Sequence, residues 1–176
     1  MRSIAGTRVY LAAALLLLGV AAGSVQAAPK AELWERWTAH DAGSAATIDH
    51  TGWTRFLDRY REPGPNGVAR IDYGAVSPGD REALEAYIDR LAATRIDEYS
   101  RDQQLAYWIN LYNALTVRVV LEHYPVESIK DIDKPWDTRR WKLGGHEVSL
   151  NEIEHGLIRP IYRDSRIHFA VNCASI

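Results

Sequence analysis

The sequence has 176 residues, with 21 Lys and Arg against 23 Asp and Glu and a net charge of −2 at pH 7. This length fits one ordinary domain. A surface that binds nucleic acid is basic, and the sequence contains no basic cluster, so its composition argues against a nucleic-acid partner.

Residues 1–27 are typical of a secretory signal peptide. Arg2 and Arg8 precede an apolar run over residues 9–23, and the small residues Val25 and Ala27 predict cleavage after Ala27. The run is shorter than the roughly 20 apolar residues of a membrane-spanning helix, although an uncleaved anchor is the alternative. We therefore expect an exported protein, periplasmic or extracellular, with no membrane span after cleavage.

The next part of the chain predicts mostly helix. Residues 28–52 form a predicted N-terminal helical segment, with Leu33, Trp34 and Trp37 on one face of a helix over 31–40. A second helix follows around Trp53, then a turn cluster over 62–67 and a short strand over 68–73. Ser77, with Pro78 at the first helical position, starts a further helix.

The strongest predicted element is a helix over residues 100–124. Ser100 and Gln103 predict a capping box, and Pro125 marks the end. Its apolar residues cover almost the whole circumference, which predicts the most buried helix of the domain.

The remaining pattern predicts a hairpin, a helix and a strand. Gly144-Gly145 is a two-residue turn that sets Lys142 opposite Glu147. A capping box of Ser149 and Glu152 opens the next helix, and residues 166–173 alternate like a strand. Helices followed by a hairpin, a helix and a strand indicate the α+β class.

Two groups of polar residues interrupt these buried patterns. Gln103, Asn110 and Asn113 share one side of the central helix; they either tie down loop backbone or line a binding site. Glu154 lies within the apolar stripe of the later helix, where a carboxylate must be paired or titrate abnormally. Its partner is either an arginine or a group of a functional site, and the candidate arginines are Arg139, Arg140, Arg159 and Arg166.

Cys173 is the only cysteine. It is either a nucleophile or a small packed residue. In a regular strand His168 and Cys173 would face opposite sides, so His155, on the flank of the Glu154 helix, is the better candidate for a catalytic base. One cysteine with scattered histidines lacks the ligand spacing of a structural zinc site, and we expect neither a metal nor another cofactor.

Three strings, "WINLYNA", "IEHGLIR" and "HFAVNCAS", resemble the signature blocks of the family catalogued as domain of unknown function 547. The resemblance covers residues 53–176. In that family Gly-Cys-Pro usually follows the last block, which implies that the chain carries a C-terminally truncated domain. A histidine block before a cysteine block is similar to permuted papain-like thiol hydrolases, so the resemblance also implies a papain-like fold of that kind.

Three functions are consistent with these patterns. The first is a thiol hydrolase or acyl transferase acting on a small molecule or peptide, with Cys173 and His155 as catalytic residues and Glu154, Asn110, Asn113 and His168 around the binding site. The second is a non-catalytic module that binds an envelope peptide or glycan. The third is a thiol-redox protein that uses a further cysteine beyond the end of this sequence.

Overall fold

The computed structural model describes residues 33–64 and 67–174. The predicted signal peptide lies outside them. Within the described residues, 3₁₀ helices cover Glu35–Thr38, Tyr73–Ala75, Ile96–Glu98 and Ile129–Asp131. The longer helices are α1 (Thr51–Tyr60), α2 (Pro78–Ala92) and α3 (Arg101–His123), followed by a π-helix (Glu152–Ile158) that continues into α4 (Arg159–Tyr162), and by α5 (Ile167–Ala170). The strands are β1 (Arg61–Pro63), β2 (Ala69–Ile71), β3 (Trp141–Leu143) and β4 (His146–Val148).

The strands form two separate antiparallel hairpins, β1–β2 and β3–β4. In the second hairpin Trp141 pairs with Val148 and Lys142 with Glu147, which is the predicted register. In the first hairpin, β2 corresponds to the predicted strand over 68–73. Its partner β1 was not predicted, because residues 62–67 have the composition of a turn. Mostly helical structure with two small sheets confirms the α+β class, whereas the papain-like arrangement stays a prediction.

Helix α3 is the centre of the core. It packs against α2 on one side and the π-helix on another, and 12 of its 23 residues are buried. The π-helix buries five of its seven residues. Helix α3 therefore has the larger number of buried residues, as predicted, but the π-helix has the larger buried fraction. A half-buried strip containing Ile109, Asn110 and Asn113 is the least covered part of the middle of α3.

The predicted caps are correct at two helices and wrong at one. The side chain of Ser77 accepts a hydrogen bond from the backbone N–H of Asp80, and Ser149 and Glu152 each accept from the other's backbone N–H. Ser100 makes no such bond at the start of α3. Gln103 accepts instead from the backbone N–H of Ile48 at 3.0 Å, so this amide anchors the preceding segment rather than the helix end.

Two further predicted elements differ in the structure. Within the described part of the predicted 31–40 helix, only the 3₁₀ turn Glu35–Thr38 forms. Long-range bonds fix the flanking backbone, from Trp34 N–H to the Gly156 carbonyl and from Asp41 N–H to the Tyr99 carbonyl. These tertiary bonds outweigh the helical periodicity of so short a segment.

The predicted strand over 166–173 is wrong. Asp164 accepts a hydrogen bond from the backbone N–H of Arg166 and its carbonyl accepts from Ile167, which starts the helical turn α5. No described strand lies alongside to pair with this segment. Only the last part, from Val171, is extended.

Among the described helices, none combines the length and apolar character needed to cross a membrane.

Candidate functional site

The π-helix brings together two charged residues that an α-helix would separate. The backbone N–H of Arg159 donates to the carbonyl of Glu154, five residues earlier. In an α-helix, residues five apart lie about 140° apart around the axis. The wider π turn stacks them, so the Arg159 guanidinium also binds the Glu154 carboxylate, with Nη2–Oε1 and Nε–Oε1 distances of 2.6 and 2.9 Å.

Glu154 is a buried carboxylate with one strong ion pair. Only 8% of the residue is exposed, and Arg159 is the one of the four candidate arginines that pairs with it. The expected buried ion pair is therefore present. A carboxylate at this depth needs such a partner, since an isolated buried charge is strongly unfavourable.

His155 lies against the same carboxylate. Its Nε2 is 4.0 Å from Glu154 Oε1, beyond hydrogen-bonding distance. Burial lowers the pKa of His155, while Glu154 opposes this effect and Arg159 adds to it. The imidazole is thus held neutral, the form that can accept a proton.

Tyr112 of α3 connects this pair to Cys173. Burial raises the pKa of the Tyr112 hydroxyl, and the nearby Glu154 carboxylate and Cys173 raise it further, against an opposing effect of Arg159. A neutral phenol next to a carboxylate donates its proton in a hydrogen bond. Tyr112, which is 1% exposed, is therefore the group that both Glu154 and the cysteine approach.

Asn113 fixes the segment that carries Cys173. Its Nδ2 donates to the carbonyl of Ala170 at 2.9 Å, and its Oδ1 accepts from the backbone N–H of Asn172 at 2.8 Å. The indole of Trp136 donates to the carbonyl of Cys173 itself at 3.1 Å. These three bonds hold half-buried Cys173 at the end of the described chain.

His168 does not share this environment. It lies in α5 and is exposed, and its ring contacts that of Phe169, which is itself 87% exposed. The expected alternation of faces along 166–173 is wrong because the segment is helical there. The structure thus brings Glu154 and His155 together and leaves His168 on the surface.

Asn110 and Asn113 lie at a different place, a cavity of about 670 Å³ on the far side of the terminal segment. Asn172 and Ala174 line this cavity, whereas Cys173 between them interacts with Tyr112. The predicted site residues therefore fall into two groups, the thiol side with Glu154 and His155 and the cavity side with the two asparagines.

Sequence analysis missed Tyr112 and Trp136. Tyr112 lies within the apolar pattern of α3 and looks like a core residue, yet a buried tyrosine hydroxyl needs a polar partner. The predicted buried carboxylate of Glu154 was the sequence feature that could have suggested a partner for this hydroxyl. Trp136 lies between predicted elements and binds a backbone carbonyl, a contact that leaves no sequence pattern.

Within residues 33–64 and 67–174, no group of three or more His, Cys, Asp or Glu side chains is arranged to hold a metal ion.

Residues 96–176 match the family model described as "Protein of unknown function, DUF547". This segment, called the DUF547 segment below, is similar to a portion of a DUF547 domain. It contains α3, the second hairpin, the π-helix and Cys173, and hence every residue of the thiol-side group. The predicted boundary at Trp53 stays a prediction, since the match begins at Ile96. No curated protein and no solved structure matches the chain.

Proposed function

We propose that the protein is a thiol-dependent hydrolase or acyl transferase in which Cys173 is the nucleophile. The observation that carries the proposal is a shared neighbourhood: Cys173 and the buried Glu154 carboxylate, which has His155 Nε2 at 4.0 Å, both raise the pKa of the buried Tyr112 hydroxyl. A cysteine near perturbed titratable groups on rigid helices is a typical candidate for covalent catalysis.

In the proposed reaction the Cys173 sulfur attacks the carbonyl carbon of an ester, thioester or amide, and a carbon–sulfur bond forms. The thiol proton passes to the neutral imidazole of His155, which returns it to the departing alcohol, thiol or amine. Water, or a second acceptor, then releases the acyl group from the sulfur. Glu154, anchored by Arg159, stabilises the imidazolium that forms between these steps.

The proposal is tested with the full-length protein and two reagents. Iodoacetamide labelling is read by peptide mass spectrometry, so that modification of Cys173 is measured at its own position. We expect labelling of the folded protein, and a burst of one p-nitrophenolate per chain from p-nitrophenyl acetate that is absent in Cys173→Ala. His155→Ala should slow the burst by about 100-fold or more, the usual contribution of a proton-transfer group. Tyr112→Phe removes a hydroxyl near both Glu154 and Cys173 and should slow the burst by a smaller factor.

His168→Ala is the matched control, since this histidine is exposed and lies outside the thiol-side group; it should change the burst less than two-fold. Labelling of Cys173 only after unfolding in urea would contradict the proposal and identify a packed core cysteine. An equal loss of activity in His155→Ala and His168→Ala would also contradict it.

The signal-like segment over residues 1–27 supports a further part of the proposal, that the enzyme acts after export. N-terminal sequencing of the secreted or periplasmic protein should give Ala28 as the first residue. A mature protein that still begins at Met1 would contradict this.

A further inference from the structure

The cavity on the asparagine side is built from four parts of the chain. Trp53 and Leu57 of α1 form one wall, the first hairpin forms the second, the half-buried strip of α3 forms the third, and the terminal segment around Asn172 forms the fourth. Its volume of about 670 Å³ lies within the range of roughly 300–1,000 Å³ typical of small-molecule sites. Most of the lining is apolar, and a small number of polar groups among apolar walls is the usual composition of such a site.

The charges around this cavity are all of one sign. Arg61 and Arg70 line it, and no acidic residue of the described part of the chain does, although the chain as a whole carries a net charge of −2. Neither guanidinium has an ion-pair partner in the part of the chain that the structure describes. The lining is therefore complementary to an anion.

The polar groups of the lining add hydrogen-bond donors. Tyr73 lines the cavity, and burial raises the pKa of its hydroxyl to about 12, so the phenol keeps its proton. The Asn110 amide is half-buried and makes no hydrogen bond to another described residue, whereas the neighbouring Asn113 amide is fully used by backbone. A phenol, an amide N–H and guanidinium groups all suit a ligand that accepts hydrogen bonds.

We propose that this cavity binds an amphipathic monocarboxylic acid, such as a medium-chain fatty acid. The apolar body lies against Trp53, Leu57 and Ile109, and the carboxylate lies near Arg61. This site is separate from the thiol chemistry proposed above, because neither Cys173 nor Tyr112 nor His155 lines the cavity.

Of the two arginines that line the cavity, Arg61 is the better one to substitute in a test of carboxylate binding, because its cross-strand neighbour is apolar. Arg61 stands opposite Ile71, which also lines the cavity, while Arg70 stands opposite Glu62. The carboxylate of Glu62 offsets part of the charge of Arg70. Arg61 is exposed, so its replacement should leave the fold intact.

The test is calorimetric titration of the full-length protein with sodium decanoate, sodium octanoate and decanol. We expect saturable 1:1 binding of decanoate, with octanoate roughly 15-fold weaker because two buried methylenes are lost. Arg61→Gln should weaken decanoate about ten-fold or more and leave decanol unchanged. Arg55→Gln, an exposed arginine of α1 that does not line the cavity, is the control and should bind decanoate like the wild type.

Filling the cavity gives the second variant. Ile109→Trp should abolish decanoate binding, and a circular dichroism spectrum and melting curve will show whether the variant is folded. Equal affinity for decanoate and decanol, or unchanged decanoate binding in Arg61→Gln, would overturn the carboxylate assignment. Wild-type affinity in folded Ile109→Trp would place the ligand elsewhere and overturn the site. Binding should persist in Cys173→Ala, so the outcome is independent of whether the thiol is catalytic.

Discussion

At the residue scale, the unusual feature is a histidine kept neutral beside a carboxylate. A negative charge normally favours the protonated imidazole, but burial lowers the pKa of His155 and Arg159 neutralises much of the effect of Glu154. Sequence analysis found Glu154 because a charge in an apolar stripe is visible in the pattern. It could not find Tyr112, because a tyrosine in an apolar helix looks like any other core residue.

This histidine gives a prediction about pH. The pKa of His155 is lower in the folded protein than in the unfolded chain, so the unfolded state binds more protons as the pH falls below about 6.5. The stability that depends on neutral His155 is complete above that pH and is lost as the pH falls through the folded-state pKa. We therefore expect the free energy of unfolding in urea to decrease between pH 7.5 and pH 5.

His155→Gln should flatten this pH dependence. His50 will leave a residual slope, since burial lowers its pKa as well. The exposed His146 provides the control, and His146→Gln should retain the wild-type slope. An identical slope in His155→Gln and the wild type would show that this imidazole titrates as it does in the unfolded chain.

At the element scale, the π-helix is the part of the structure least accessible to sequence analysis. The start of this helix was predicted correctly from Ser149 and Glu152, and so was its apolar stripe, because caps and stripes are local features. The wider π turn was not predicted, because neither a cap nor an apolar stripe indicates whether a backbone hydrogen bond spans four residues or five. The predicted terminal strand was wrong for a related reason. Alternation of apolar residues does not tell whether a neighbouring strand is present to form the sheet hydrogen bonds.

The same helix allows two arginine replacements to be compared. Arg159→Ala leaves the Glu154 carboxylate buried without its partner and should lower the free energy of unfolding by roughly 3 kcal/mol. Arg139→Ala removes the partner of Glu152, but Arg139 is exposed, so this loss should be less than about 1 kcal/mol. Urea unfolding of both variants at pH 7.5 measures the difference. Equal losses would mean that Glu154 is hydrated in solution.

At the scale of the whole molecule, α3 connects the two candidate sites. Tyr112 faces the thiol, Asn110 lines the cavity, and Asn113 binds the backbone segment that separates them. The sequence predicted this central position correctly, because a long helix with apolar residues on several faces must be surrounded by other elements. Which elements surround it depends on contacts far apart in the chain, and no pattern in the sequence predicted that α1 and the first hairpin would leave a cavity beside Asn110.

A core substitution in α3 should therefore affect the whole domain together. Leu115 is 0% exposed, and Leu115→Ala should lower the free energy of unfolding by about 2–5 kcal/mol, the cost of a buried leucine side chain and the void it leaves. The matched substitution Ile109→Ala, on the half-buried strip at the cavity, should cost about 1 kcal/mol, since the site is already partly open. Circular dichroism at 222 nm and tryptophan fluorescence should give coincident urea transitions for each variant, because a single cooperative core unfolds in one step. Two separated transitions in Leu115→Ala would show instead that the part before Ile96 and the DUF547 segment unfold independently, and that α3 does not hold them in one core.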